Sequence, residues 1–370
     1  MNYNMKLIMT ADFHIGQLSD SYIEKNGMER SVNETFNQID CIIDYAIKNK
    51  IKTIIIAGDI FEEKNPTAKY YYMFLERLKV LNMKEIETIL ISGNHDKSNS
   101  GISAISPVRN ANFENILVYD DIQVKIINNI NYIFIPHVVR NQLKENEEII
   151  EHITQMIFEY LDTERKNIVI GHLHYDGAVI GNEQYNLKGG INFFPEVNTR
   201  KIKKIFLGHI HKHQRIQKNN TEIIYTGSIT RNDFGECEED KGFLVYDDKT
   251  DEVDFVKLDT TKYKIIELNY PGKLTVKPEK YNNCILKLKI NVNEKDRKSL
   301  NIAEIESMFN EHNYIAKIEI NTVKKAKKGI EINEYNPIEI LNRFVDENYE
   351  QKKLNKFLKS KGKEIIEKCL

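Results

Sequence analysis

The sequence has few cysteines, and their spacing excludes one class of site. Four occur in 370 residues, far apart and without a CxxC pair: Cys41, Cys237, Cys284 and Cys369. Thiols spaced in this way do not form a cysteine-rich zinc module. We interpret them as reduced, mostly buried residues of a cytoplasmic protein.

A large net charge and a long apolar run are also lacking. The 53 basic and 55 acidic residues leave a formal charge of −2, so an anionic partner would have to be bound by a local patch. No apolar run reaches membrane-spanning length, and residues 1–10 lack the apolar core of a signal peptide. With 41% hydrophobic residues, the chain can form two or three globular domains. We expect a soluble protein with no membrane partner.

The first hundred residues alternate between strand and helix patterns. Apolar runs at 6–10, 53–57 and 86–91 are typical of buried strands. Apolar residues at spacings of three and four predict two helices between them. The predicted inward faces are Val32, Phe36, Ile39, Ile43, Ala46 and Ile47 in the first helix, and Tyr70, Phe74, Leu75 and Leu78 in the second, with Pro66 in its first turn. This alternation predicts a layered α/β unit.

Similar patterns continue towards residue 246. Strands are expected at 116–118, 124–127, 131–135, 168–170 and 205–207, followed by β-structure at 223–246. A helix is expected at 147–161, with Ile150, Ile153, Ile157 and Leu161 facing inward.

Five of the predicted strands end in a polar loop with histidine or aspartate. The loops are Asp12-Phe13-His14, Gly58-Asp59, Gly93-Asn94-His95-Asp96, Gly171-His172-Leu173-His174 and Gly208-His209-Ile210-His211. Loops at the carboxyl ends of strands converge on one crevice in open α/β folds. We therefore expect these side chains to form one site.

The pooled side chains are too many for one metal ion but suit two, about 3.5–4 Å apart, if a carboxylate bridges them. Asp59 is the predicted bridge. The first ion would take Asp12, His14 and His211, and the second Asn94, His172 and His209. Imidazole, carboxylate and amide ligands suit manganese, iron or zinc better than calcium.

His95 is left over from the predicted ligand set. With Asp96 behind it, His95 could stabilise the transition state of phosphoester hydrolysis or protonate the leaving oxygen, so His95 and Asp96 are the predicted catalytic residues. His174 also lies outside the set, and a supporting or structural role is expected. Each motif alone is also compatible with a helix cap, a turn or an ordinary loop, whereas the five together favour the metal site.

The character of the chain changes after Leu258. A βαβ-like pattern occupies residues 262–320, a lysine-rich polar stretch follows, and Asn336-Pro337 has the cap-and-proline signature of a helix start. We predict domains at 1–260 and 261–322, a linker at 323–335 and a helical pair at 336–370. Such a short pair buries itself poorly on its own.

The ordered motifs DxH, GD, GNHD, GH and GHxH resemble those of the calcineurin-like metallophosphoesterases. Within that superfamily the chain resembles the SbcD family, the nuclease subunits of double-strand-break repair complexes. The more specific segments are Gly58-Asp59-Ile60-Phe61, Gly171-His172-Leu173-His174, Tyr225-Thr226-Gly227-Ser228, Phe234-Gly235-Glu236 and Lys241-Gly242-Phe243. The resemblance is good over residues 1–260 and thinner beyond.

The resemblance implies a four-layer α/β/β/α sandwich with a small α+β capping domain facing DNA and a C-terminal helical pair. It also implies a manganese-dependent DNA exonuclease and endonuclease that works as a homodimer in repair or recombination, with magnesium, iron or zinc as alternative metals. Residues 336–370 would bind an SbcC-like SMC-type ATPase. Glu62 departs from relatives, which often have His or Asp there, and so leaves the balance of the two activities open.

The substrate is less well defined by sequence than the metal site. Candidate DNA-binding cations surround the fifth loop: Arg200, Lys201, Lys203, Lys204, Lys212 and Arg215. Each is individually compatible with an ordinary solvated surface. Two alternatives also stay open, a metallophosphoesterase for a small or protein substrate and a non-catalytic scaffold, although GNHD and Glu62-Glu63-Lys64 differ from the pattern of the related protein phosphatases.

Overall fold

The first of two large sheets contains six strands. The computed structural model describes residues 6–16, 22–25, 27–143, 148–175, 177–179, 202–271, 278–309, 314–323, 337–348 and 352–369. The strands of this sheet are β1 (Lys6–Thr10), β2 (Thr53–Ala57), β3 (Glu87–Ile91), β4 (Ile116–Tyr119), β11 (Gly242–Asp247) and β12 (Glu252–Lys257). Their order is β12-β11-β1-β2-β3-β4, with β1 to β4 parallel and β11 antiparallel to both neighbours.

The second sheet also contains six strands. They are β5 (Gln123–Ile127), β6 (Ile130–Ile135), β7 (Lys166–His172), β8 (Ile202–Gly208), β9 (Gln214–Lys218) and β10 (Thr221–Tyr225). The order is β5-β6-β7-β8-β10-β9, in which β6, β7, β8 and β10 are parallel. The carboxyl ends of β7 and β8 therefore lie on the same edge of this sheet.

Three helices cover the two sheets: α1 (Arg30–Lys48), α2 (Ala68–Met83) and α3 (Ile149–Tyr160). Between the sheets, Leu7 and Ile55 pack with Phe134 and Phe206. The outer face of the first sheet shares a core with α1 and α2, and that of the second shares one with α3. The layers are thus α/β/β/α, which confirms the predicted fold. Strands buried on both faces explain the unbroken apolar runs.

The predicted helix faces are right in their centres and wrong near some ends. Ile47 is 38% exposed and Ile150 is 46% exposed, although the apolar spacing predicts that both face inward. Ile47 lies in the last turn of α1 and Ile150 in the first turn of α3. The second helix begins at Ala68 with Thr67 as its cap, so Pro66 precedes the helix.

A smaller sheet follows the sandwich. It contains β13 (Lys262–Tyr270), β14 (Cys284–Asn293) and β15 (Tyr314–Val323), in that order, with β13 and β14 parallel. The helix α4 (Ile302–Phe309) joins β14 to β15 and packs Ile305 and Phe309 on one face of the sheet. This is the strand–helix–strand pattern predicted for the region.

Inter-residue contacts divide the chain into two units, Met1–Thr322 and Val323–Leu370. The described part of the second unit contains α5 (Pro337–Asn348) and α6 (Lys352–Cys369), so α5 begins at the predicted proline. The two helices pack closely, because a Cβ at Gly362 would overlap the Leu341 side chain. Val345 is buried, whereas Phe344, Phe357 and Ile365 are more than half exposed. None of the helices in the described ranges is long and apolar enough to cross a bilayer.

Candidate metal centre

The predicted ligands come together at one edge of the sandwich. Asp12, His14, Asp59 and Asn94 follow β1, β2 and β3 of the first sheet, and the remaining ligands end or follow β7 and β8 of the second. The loops after β1 and β2 run side by side, since the His14 N–H donates to the Asp59 carbonyl at 3.0 Å. The five loops therefore meet in one crevice, as expected, and the crevice is formed by the strand ends of both sheets.

Four of the predicted ligands have an unusual backbone conformation. Asp12, His14, Asp59 and His209 have positive φ angles of 55°, 47°, 50° and 90°. The left-handed region costs an L-residue roughly 1–2 kcal/mol, and such strain is concentrated at functional sites. These turns bring polar side chains from separate loops into the same space.

Two motif glycines allow ligand side chains to approach the backbone. Gly58 has a φ of 89°, and a Cβ there would overlap the His172 ring. A Cβ at Gly93 would overlap the Asp59 carboxylate. Because neither ligand could keep its position beside a larger residue, these glycines are needed for the geometry of the site.

The first ligand group consists of Asp12, His14 and His211, whose ligand atoms lie within 4.8 Å of one another. The His14 and His211 Nε2 atoms are 2.9 Å apart. Each ring turns its Nδ1 to a carboxylate at 2.7 Å, Glu62 for His14 and Glu236 for His211. Nδ1–H groups that donate to carboxylates leave two Nε2 lone pairs facing each other. That arrangement is repulsive unless the two nitrogens share a proton or both bind the same cation.

The Asp12 carboxylate is fully buried beside these two rings. It accepts the His209 N–H at 2.9 Å, which ties the first ligand loop to the last. Burial raises the pKa of Asp12 above its usual value. A buried carboxylate of this kind gains strongly from a bound cation.

The second ligand group consists of Asp59, His172 and His209, together with Asn94. The Asn94 Oδ1 atom is 3.0 Å from His172 Nε2 and 2.9 Å from His209 Nδ1. His172 Nδ1 lies 2.8 Å from the Ala57 carbonyl, which accepts its proton, so Nε2 is the nitrogen available to a cation. With the facing nitrogens deprotonated, an amide oxygen and two imidazole nitrogens converge on one point, as in a metal site.

The charges of the second group favour a cation at the same point. Burial acts to lower the pKa of His172, but the Asp59 carboxylate outweighs it and raises the pKa to about 9. Burial, with His172 as a neighbour, lowers the pKa of His209 to about 3. His209 is therefore neutral and available as a ligand, while positive charge is stabilised between His172 and Asp59.

Asp59 lies between the two groups. Its Oδ2 atom is 3.2 Å from His172 Nε2 and 3.8 Å from His14 Nε2. Its Oδ1 atom accepts the backbone N–H of His95 at 2.8 Å, which fixes the orientation of the carboxylate. Burial opposes its ionisation, but His172 and His14 lower its pKa well below the usual range. One oxygen therefore faces both candidate ion positions, and the donor set fits two divalent cations.

His95 lies at the mouth of the site. Its ring is 4.8 Å from the His14 ring, measured between centroids, and its side chain is 38% exposed. Nδ1 lies 2.9 Å from the main-chain carbonyl of Glu62. If Nδ1 donates this bond, Nε2 is directed to other partners, so the ring can exchange a proton with a substrate.

The predicted pairing of Asp96 with the His95 ring is wrong. The Asp96 carboxylate accepts the backbone N–H groups of Ile60, Phe61 and Gly93 at 2.8–3.2 Å. Burial, with Asp59 as a second cause, raises its pKa to about 6. Asp96 is fully buried and holds the loops after β2 and β3 together, so it is structural rather than catalytic.

Sequence reasoning missed the two carboxylates that contact ligand histidines. Glu62 stands out in the sequence only as a departure from relatives, although it follows the Gly58-Asp59-Ile60-Phe61 motif. Glu236 stands out only within Phe234-Gly235-Glu236. No spacing rule links Glu236 to His211, which lies 25 residues earlier. His174 is buried, and its ring is 6.2 Å from the His209 ring, so it stays outside both ligand groups.

The candidate DNA-binding cations are less uniform than expected. Arg200 and Lys201 lie outside the described residues. Lys203 is exposed, whereas Lys204 is buried and forms a 2.6 Å ion pair with Glu222. Arg215 also pairs with Glu222, at 3.4 Å. Lys204 is thus wrongly placed in the predicted cationic surface, because its charge is already compensated inside the protein.

The chain is similar to known proteins over the region that contains the candidate metal centre. Two similar proteins bear the name of the SbcD component of the nuclease SbcCD. The one from Staphylococcus saprophyticus is 25% identical over 308 residues, which are 77% of this chain and 78% of the relative. The one from Staphylococcus epidermidis is 26% identical over 263 residues, which are 66% of each protein.

Among solved structures, a dimetal phosphatase from Danio rerio aligns over 66% of this chain and 92% of its own, with 8% identity and a TM-score of 0.43. An archaeal phosphodiesterase aligns over 69% of this chain and 100% of its own, with 13% identity and a TM-score of 0.36. The family model for calcineurin-like phosphoesterases matches residues 5–213, more than half of the chain. The chain therefore belongs to the calcineurin-like phosphoesterase family.

Proposed function

We propose that the protein is a two-metal DNA phosphodiesterase, an exonuclease and endonuclease that acts on DNA ends as the SbcD-like subunit of an ATPase–nuclease complex. The observation that carries the proposal is the position of Asp59 Oδ2 between the two ligand groups, 3.2 Å from His172 Nε2 and 3.8 Å from His14 Nε2. The names of the two staphylococcal relatives support the nuclease activity.

Asp12, His14, Asp59 and His211 would hold one ion, and Asp59, Asn94, His172 and His209 the other. Two divalent ions supply an activated water and positive charge for the phosphoryl oxygens. The side chain of His95 protonates the leaving oxygen, and Glu62 orients its ring through the main-chain carbonyl. The mixed set of imidazole nitrogens with carboxylate and amide oxygens is compatible with manganese, iron or zinc. The family resemblance favours manganese, with magnesium, iron or zinc as alternatives.

The C-terminal pair of helices supports the proposal of a protein partner. Phe344, Phe357 and Ile365 of α5 and α6 are 54%, 60% and 60% exposed. Apolar side chains exposed on a small helical unit are typical of a binding surface. We infer that residues 336–370 bind the coiled coil of an SMC-type ATPase. We also infer that the nuclease works as a homodimer. Because its proposed substrate is DNA, we expect the protein to act in the cytoplasm.

A nuclease assay tests the proposal. The full-length protein is incubated with Mn²⁺ and linear DNA of defined ends, and with an aryl phosphodiester and an aryl phosphomonoester. DNA cleavage that is lost in Asp59→Ala and His95→Ala supports the proposal. Turnover of the aryl phosphodiester alone would instead favour a small-molecule phosphodiesterase. The absence of all three activities, with and without the ATPase, would favour a non-catalytic scaffold.

A further inference from the structure

The two facing histidines of the first ligand group are held by carboxylates of different character. Both contacts measure 2.7 Å, from Glu62 Oε2 to His14 Nδ1 and from Glu236 Oε1 to His211 Nδ1. The Glu62 side chain is 29% exposed, whereas that of Glu236 is only 9% exposed. A buried carboxylate needs compensating charge and hydrogen bonds, so the surroundings of Glu236 are informative.

Lys241 supplies the compensating charge. Its side chain is fully buried, and Nζ lies 2.7 Å from Glu236 Oε2 and 2.8 Å from Glu239 Oε2. The backbone N–H of Asn232 donates to the same Glu236 oxygen at 3.0 Å. One Glu236 oxygen is thus saturated by a lysine and a backbone donor, while the other is left for His211. The Lys241 ammonium and the backbone donor thus compensate the charge of the buried carboxylate.

Lys241 also contacts His211 itself. Nζ donates to the His211 main-chain carbonyl at 3.1 Å and to Ser228 Oγ at 2.9 Å. The lysine therefore holds the backbone of the ligand residue and the carboxylate that orients its ring. A simple ion pair on the protein surface would contact neither the main chain of a ligand residue nor the carboxylate that orients its ring.

The segment that carries Glu236 is fixed from its other side. Arg231 is buried, donates to the Glu236 carbonyl at 3.2 Å and to Thr260 Oγ1 at 2.6 Å, and also contacts the Glu239 carbonyl. Thr260 lies two residues before β13. Glu236 is consequently held at both its side chain and its main chain, with little freedom to follow a displaced ring.

We propose that Glu236, held by Lys241, is a positioning residue that fixes the ring and tautomer of His211 so that its Nε2 lone pair is directed at the first ion. A histidine ligand bonded in this way through its other nitrogen is oriented and made more basic. The inference rests on the proposed two-ion site, yet it concerns metal binding and can be tested without DNA.

The test compares Mn²⁺ binding by full-length wild type, Glu236→Gln and Glu238→Gln, by calorimetry and electron paramagnetic resonance. Glu238 is the matched control, because its side chain is 82% exposed and pairs with Lys264. For Glu236→Gln we expect one ion to bind about tenfold to a hundredfold more weakly. At intermediate Mn²⁺ concentrations the coupled two-ion spectrum should give way to that of an isolated ion. Wild-type affinities and spectrum in Glu236→Gln would overturn the inference.

A second variant separates positioning from folding. Glu236→Asp keeps a negative charge beside Lys241, but its carboxylate is one methylene too short to hold its 2.7 Å contact with His211. It should melt close to wild type and still lose affinity for one ion. An Asp variant that is folded and binds both ions normally would contradict the inference, as would loss of folding in both variants, which would make the role purely structural.

Failure of the Glu236 inference can be distinguished from failure of the proposed nuclease function. A wild-type protein that binds two Mn²⁺ ions but cleaves no DNA would remove the nuclease proposal and leave the Glu236 inference intact. A wild-type protein with a single Mn²⁺ site would contradict both.

Discussion

The two halves of the candidate metal centre are supported in different ways. In the carboxylate-braced half, defined by Asp12, His14 and His211, the two imidazoles are each held by a glutamate side chain at 2.7 Å. In the main-chain-held half, defined by Asn94, His172 and His209, the His172 ring is held by the Ala57 carbonyl at 2.8 Å. A side-chain support can be changed by substitution, whereas a carbonyl support cannot.

The difference also concerns charge. The partners of the His14 and His211 rings are carboxylates, whereas the partner of the His172 ring is a neutral carbonyl. Asp59 is shared, since its Oδ2 atom faces both halves. We therefore expect residues outside the motifs to tune the affinity of the first ion, whereas the affinity of the second should depend on the ligands themselves. Substitutions that act on both halves, on neither or on one of them test this view.

The largest effect is expected for Asp59→Ala, which acts on both halves. Removing the shared carboxylate leaves the buried histidines of the two groups without their common negative partner. Each ion contributes several kcal/mol to the transition state, so we expect DNA cleavage to fall by about 10⁴-fold, or roughly 5 kcal/mol. Calorimetry should show weaker binding of both ions. Asp254→Ala, at an exposed position, is the control. Loss of only one ion would contradict the bridging position.

His95→Ala should leave both halves intact and still lose turnover. The His95 backbone N–H that holds Asp59 Oδ1 is kept, so both ions should bind as in wild type. Without a side chain to protonate the leaving oxygen, kcat should fall about 10²- to 10³-fold. A DNA substrate with a better leaving group should recover part of the loss. Weaker Mn²⁺ binding by this variant would instead make His95 a metal ligand, as its grouping with His14 and Asp59 allows.

Asn94→Ala should affect only the main-chain-held half. Its Oδ1 atom lies 3.0 Å from His172 Nε2 and 2.9 Å from His209 Nδ1, and both rings belong to that half. We expect one Mn²⁺ site to weaken about tenfold or more, with kcat partly restored at high Mn²⁺. Asn110→Ala, at an exposed position, is the control. Equal weakening of both sites would remove the distinction between the halves.

The candidate ligands could be identified in the sequence because each is encoded locally. A buried apolar strand followed by a polar loop identifies Asp12, Asp59 and His209 without knowledge of the rest of the chain. The prediction for Asp96 relied on its position next to His95 in the sequence. A tight turn points neighbouring side chains in different directions, and the Asp96 carboxylate instead accepts backbone N–H groups of two loops. Glu236 was missed because its contact with His211 depends on tertiary folding.

The fold was predictable to a similar extent. Strands buried on both faces, such as β2 and β7, have apolar runs that stand out in the sequence. The edge strand β9, Gln214–Lys218, has a mostly exposed polar sequence and gave no periodic signal. The local sequence also does not indicate to which of the two sheets a strand belongs. The stacking of the sheets is therefore known only from the structure or from the family resemblance.

The smallest effect is expected for Glu62→Gln, which weakens the more exposed support of the carboxylate-braced half. The pKa of Glu62 is lowered, because its bond to His14 outweighs burial, so the carboxylate is charged at neutral pH and its support is lost only as the pH falls through that lowered pKa. Glutamine keeps an acceptor for Nδ1–H but removes the charge, and solvent already screens the 29% exposed side chain.

We therefore expect Glu62→Gln to weaken one Mn²⁺ site about threefold to tenfold, at or below the lower end of the range for such supports. The main-chain carbonyl of Glu62 still holds His95, so kcat at saturating Mn²⁺ should stay close to wild type. Glu63→Gln, the exposed neighbour, is the matched control. If Glu62→Gln proves as damaging as Glu236→Gln, burial and the Lys241 ion pair do not set the strength of the support, and the two glutamates act alike.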